Sequence, residues 1–97
     1  MDYLLKKFLP RIEFDSYEDF KANYKVNVPE DFNFGFDVVD AWADAEPEKK
    51  ALVWCDEEDD EKIFTFTDIK RLSNKAANFF KSLGVKKGSV VMLILRR

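Results

Sequence analysis

The stretch GVKKGSVVMLILRR, residues 84–97, decides how the rest of the chain is read. A glycine closes a long amphipathic run, Gly88 follows two lysines, and Val90 to Leu95 are apolar without interruption. This order predicts a helix stop, a turn and a strand. A strand that is apolar at every position, rather than at alternate ones, is one covered on both faces, typically in a parallel sheet. Fully burying six such side chains is worth on the order of 9–18 kcal/mol, comparable with the whole stability of a domain. The preceding helix can cover one face only. The chain therefore reads as the beginning of a longer protein, whose final buried strand needs neighbours from beyond Arg97.

Upstream of Gly84, the spacing of Ile69, Leu72, Ala76, Phe79, Phe80 and Leu83 keeps one apolar stripe over residues 68–83, with Thr67 as the expected N-cap and Asp68 beside the positive helix end. ALVWC (51–55) and KIFTF (62–66) are β-branched and aromatic runs, so they read as antiparallel arms of a hairpin joined by a polar turn. Phe36, Val39, Trp42 and Ala43 share a face of a helix over 36–46 that Pro47 stops. Before it, VNVPEDFNFG (26–35) reads as an extended connection. Ser16 with Asp19 predicts a capping box, and Tyr17, Phe20 and Tyr24 one face of a short helix. The class is α/β: an N-terminal helical arm (1–35), then a hairpin, a crossover helix and a final buried strand within 36–97.

Composition sets the bounds. A chain of 97 residues makes one domain and buries only about 60–70% of its unfolded surface. The 46% hydrophobic content and ten phenylalanines exclude a disordered, charge-dominated chain. One cysteine, Cys55, makes no internal disulfide and reads as a small buried side chain in a reducing, cytoplasmic setting. No apolar span is long enough for a membrane helix, and the first ten residues carry lysines inside the apolar run rather than a signal-peptide core. The net charge of −3 argues against nucleic acid and anionic membrane as partners. That charge is divided: residues 1–61 carry 7 basic and 18 acidic side chains, residues 62–97 carry 9 basic and 1 acidic. The two regions should attract each other, within one fold or between copies.

The chemistry-bearing residues are few. There is no histidine, which removes the usual general base and the commonest metal ligand. Asp56, Glu58 and Asp60 alternate as a calcium loop begins, but its sixth position is Glu61 and its twelfth Thr67, so Asp56 to Glu61 reads as a solvated turn. GVKKGS follows a helix and precedes a strand, the reverse of a P-loop, and reads as a connecting turn. Arg96 and Arg97 stand at the strand edge where open α/β sheets bind ligands, yet terminal arginines are usually solvated. Trp42 and Trp54 read as core anchors. No residue is assigned as catalytic, cofactor-binding or metal-binding.

The ordering of these pieces carries a resemblance. A helix ending in proline, the Ala-Leu-Val strand, Thr-Phe-Thr leading into a helix with Ser-Asn-Lys-Ala-Ala, then Leu-Gly-Val-Lys-Lys-Gly and an apolar strand are similar to the opening of the adenylate-forming acyl-CoA synthetases. The likeness covers about residues 32–97 and is closest to the acetyl and medium-chain type, with EDFKANYKVNVPEDFNFG resembling the segment that leads into the medium-chain group. Ser89 stands where that family more often has aspartate. The resemblance implies an incomplete piece of the large N-terminal domain of the adenylate-forming fold. It also implies a parent enzyme that uses ATP, Mg²⁺ and CoA to convert a carboxylic acid to its thioester through an acyl-adenylate. None of the family's active-site motifs matches a residue here, so the piece itself is expected to bind no cofactor and to be inactive. Its expected partners are the rest of the parent enzyme or, through the 90–95 strand, a second copy in a homo-oligomer. The other reading of the same residues is a non-catalytic α/β module that associates with itself or a partner.

Overall fold

The computed structural model describes residues 2–96; the expectation for Arg97 lies outside them. The elements run α1 (Asp2–Lys6), α2 (Tyr17–Asn23), a π-helical turn (Gly35–Asp40) passing into α3 (Ala41–Ala45), then β1 (Lys50–Cys55), β2 (Glu61–Thr65) and α4 (Phe66–Ser82). The class is mixed α/β, as the sequence leads one to expect.

The arm is held by side chains because it has little regular structure. Ser16 Oγ accepts the Asp19 N–H at 3.1 Å, which starts α2. The expected box is only half formed. The Asp19 carboxylate accepts from the Asp15 N–H (3.0 Å) and takes both Arg11 guanidinium nitrogens (2.8 and 2.6 Å), rather than turning to the Ser16 backbone. Phe14 packs edge-on to Phe20 at 5.2 Å, and Phe20 lies 4.8 Å from Tyr24, so the apolar face of α2 meets the segment before it. The extended return is fixed by the Asn27 N–H donating to Phe8 C=O (2.7 Å) and by the Phe8–Phe32 edge contact.

The helix expected over 36–46 is two pieces, and its start is set by a reciprocal pair the sequence reading missed. Asn33 Oδ1 accepts the Phe36 N–H (3.2 Å), while the Asp37 carboxylate accepts the Asn33 N–H (2.8 Å). The chain leaves α3 at Glu46, whose φ of −139° and ψ of 74° lie outside the α region that the following Pro47 disfavours.

β1 and β2 form the expected antiparallel hairpin, with Leu52 opposite Phe64, Val53 opposite Ile63 and Trp54 opposite Lys62, and an irregularity between Lys50 and Leu52. A two-stranded hairpin is marginal by itself. α4 grows directly out of β2 and returns over α3 and the π-helical turn. Trp42 stacks on Phe66 with centroids 5.7 Å apart, Lys49 Nζ lies 4.3 Å over the Trp42 ring, and Ala43 beneath is the one buried apolar residue described. Thr67 is not the N-cap of α4. That role falls to Thr65, in a full capping box with Asp68, and the Thr67 hydroxyl instead donates to Pro47 C=O at 2.9 Å.

Three further expectations are corrected. Val90 to Leu95 pair with no strand among the described residues and lie exposed, Val90 at 95% and Ile94 at 86%. The physical reason is the one given above: a strand apolar on both faces has no neighbours here. Cys55 is exposed rather than buried, and Trp54 is exposed at the same end of the hairpin, because β1 packs against β2 and little else. The radius of gyration is 17.5 Å, where a closed domain of this length has about 13 Å.

Candidate docking surface

The exposed surface is built by two turns that aim two apolar segments. At the hairpin tip, the Asp56 carboxylate accepts the N–H groups of Glu58 and Asp60, both at 3.0 Å, and the Asp56 N–H donates to Asp60 C=O at 3.1 Å. Asp59 adopts φ of 63°, a conformation aspartate tolerates. The acidic run is therefore organised by the backbone it serves. Among the described residues no group of three or more His, Cys, Asp or Glu is arranged to hold a metal ion.

At the other end, α4 finishes as a Schellman motif. The Val85 N–H donates to Phe80 C=O (3.1 Å) and the Gly84 N–H to Lys81 C=O (3.0 Å), with Gly84 at φ 81°. Four residues on, the Ser89 N–H donates to Lys86 C=O (2.9 Å), the Lys86 N–H to Ser89 Oγ (3.0 Å), and Gly88 stands at φ 88°. Val90 to Leu95 follow directly on these two turns. Leu72 and Phe79 on α4 and Leu83 just after it are exposed as well, so of the stripe read from the sequence only Ile69 and Phe80 are partly covered.

Between the hairpin tip and the end of the tail lies an open groove of about 1330 Å³, lined by Trp54, Cys55, Asp56, Glu57, Glu58 and Arg96. Arg96, read from the sequence as a residue at a strand edge, faces this groove. A second, smaller cleft of about 150 Å³ separates the arm from the π-helical turn; Leu5, Phe8, Val38 and Trp42 line it and the Lys7–Asp37 ion pair (3.1 Å) spans the two parts.

The electrostatics divide as the sequence does. One described ion pair joins the acidic and basic regions across a distance in sequence, Lys70 to Asp44 at 2.7 Å; it raises the Lys70 pKa above its ordinary value. Hydrogen bonds hold three carboxyl groups below theirs: Asp19 by the Asp15 N–H and then Arg11, Asp37 by the Asn33 N–H and then Lys7, and Asp68 by the Thr65 N–H and then its hydroxyl. All three are structural anchors. The acidic turn and the lysines at 75, 81, 86 and 87 take no part in the five described ion pairs.

A family of AMP-binding enzymes matches residues 39–97. Among individual proteins, acyl-coenzyme A synthetase ACSM3, mitochondrial, of Homo sapiens is 36% identical over 90 residues, covering 87% of this chain and 15% of that protein. Human acyl-coenzyme A synthetase ACSM4, mitochondrial, is 37% identical over 87 residues, 81% of this chain and 15% of its own length. Acetyl-coenzyme A synthetase 2 of Saccharomyces cerevisiae is 42% identical over 64 residues, 65% of this chain and 9% of its own. The chain thus spans about 15% of the length of the first of these relatives.

Proposed function

This chain belongs to the AMP-binding enzyme family, and we propose that it supplies N-terminal scaffold to an ATP-dependent, AMP-forming acyl-CoA synthetase. In that enzyme a carboxylic acid and ATP give an acyl-adenylate and pyrophosphate, and CoA then displaces AMP. Residues 1–35 serve as an arm and 36–97 begin the large AMP-binding domain. The observation that carries this reading is the exposed run Val90–Leu95 at the end of the matched segment. An apolar strand that its own chain leaves bare is a seat for the sheet of a larger domain.

The chain's own residues do not fit ATP and Mg²⁺. A phosphate cradle needs free backbone N–H groups at a helix start, whereas the 86–89 turn follows a helix and spends the N–H groups of Lys86 and Ser89 on itself. The acidic tip would repel phosphate, and Asp56 is committed to the turn. No catalytic step is assigned to any residue here, and the chain by itself is inactive. The setting that goes with this reading is a reducing one, the cytoplasm, since a single cysteine leaves no internal disulfide to maintain. No helix described is long and apolar enough to cross a membrane.

The test is a chimera in which this chain replaces the matching 90 residues of human ACSM3. Acyl-CoA synthesis retained by the chimera is the expected result. A soluble, folded chimera without activity, or ATP–pyrophosphate exchange by the purified 97-residue chain, would overturn the reading.

A further inference from the structure

We infer that residues 24–28 of the arm form an extended strap whose Tyr24, Val26 and Val28 lie on apolar surface supplied by the parent enzyme beyond residue 97, an inference that rests on the scaffold reading. In the order Tyr24, Lys25, Val26, Asn27, Val28 apolar and polar residues alternate, the pattern of an extended segment with one face covered. The local structure agrees with extension. α2 ends at Asn23, Tyr24 has φ of −66° and ψ of 124°, and no helix or turn occurs between it and residue 30. Pro29 also disfavours the α region at Val28.

The described residues do not supply the cover that this alternation calls for: Val26 and Val28 are 49% and 63% exposed. The segment is nevertheless held. Tyr24 packs on Phe20 at one end, the Asn27 N–H donates to Phe8 C=O at 2.7 Å, and Phe8 meets Phe32 beyond the other end. A segment fixed by its own chain while its apolar side chains stay bare is organised in advance to receive a surface. Two observations assign that surface to the parent. The likeness to human ACSM3 covers 87% of this chain, a span that takes in residues 24–28 wherever it starts, yet only 15% of that protein, so most of such an enzyme lies outside the matched part. Three side chains are also far short of the roughly 800 Å² per partner that a separate protein needs, whereas a surface within the same chain is held close by the connection itself.

Trypsin cleavage after Lys25, followed by mass spectrometry, tests it in the 97-residue chain and in the ACSM3 chimera. Lys25 is exposed in this chain, and a protease needs the residues around the bond to leave any surface they lie on. Cleavage is expected to be slower in the chimera by roughly tenfold or more. Val26→Ser with Val28→Ser should remove most of that difference, measured against the lone chain carrying the same two substitutions; if the substituted chimera fails to fold, the comparison of the unsubstituted pair still decides. Acyl-CoA synthesis by a chimera whose Lys25 is as open to trypsin as in the lone chain would overturn the strap and leave the scaffold reading standing. Protection in the chimera that the two serines leave untouched would overturn the strap as well. Protection in the lone chain that grows with its concentration would give the face to a second copy and overturn it too. A soluble, folded chimera without activity would overturn the scaffold reading and the strap with it.

Discussion

Thr65 and Asp68 cap the start of α4 reciprocally: the Asp68 N–H donates to Thr65 Oγ1 at 3.2 Å, and the Asp68 carboxylate accepts the Thr65 N–H at 3.0 Å. Since α4 begins at Phe66, directly after the last residue of β2, this pair fixes the corner at which strand becomes helix. Thr65→Ala should therefore cost about 1 kcal/mol, read as a shift in the urea midpoint. Thr67→Ala loses a neutral hydrogen bond to Pro47 C=O and should cost less, about 0.5–1 kcal/mol. A larger effect at Thr67 would reverse the assignment.

Acid should loosen the arm and the α4 corner together. The carboxyl groups of Asp19, Asp37 and Asp68 have folded pKa values lowered from 3.8, so the stability they lend is present above 3.8 and is lost as pH falls through the lower folded values. Lys70 is raised from 10.5, so its contribution is full below 10.5 and disappears as pH rises through its folded value. Circular dichroism across pH should show a plateau bounded on both sides. Asp68→Asn should shrink the acid limb; an unchanged acid limb in that variant would count against the corner as a titrating site.

Gly84 and Gly88 both stand at positive φ, and a Cβ added at either meets nothing within 4 Å. The penalty for Ala is thus purely conformational, about 1–2 kcal/mol at each. Chemical denaturation of Gly84→Ala measures it, and a neutral result would mean that the Schellman ending does not constrain the chain in solution.

Local signals were readable where chemistry acts over a few residues. The hairpin followed from β-branched and aromatic runs around an acidic turn, and Gly84 from its place after a helical stripe. The cap of α4 was misplaced by two residues because Thr65 and Thr67 are equally good cap residues; the choice belongs to Asp68, whose carboxylate reaches back three positions to Thr65. The Asn33–Asp37 pair was missed because NFGFD contains a glycine and looks like a loop. Burial was the least readable property. Cys55 and Trp54 lie in an apolar run that suits an interior position, yet whether a strand is covered depends on what packs on it, and the residues described leave both faces of β1 open at that end. The apolar run at 90–95 was legible as composition, and its lack of shelter followed from counting the faces the chain could cover.

Ala43 being the one buried apolar residue described has a calorimetric meaning. Heat capacity rises on unfolding in proportion to the greasy area newly wetted, and here much of that area is wet from the start. Melting of the lone chain should accordingly be gradual, with a small heat-capacity step, and should sharpen only when something settles over the bare side chains.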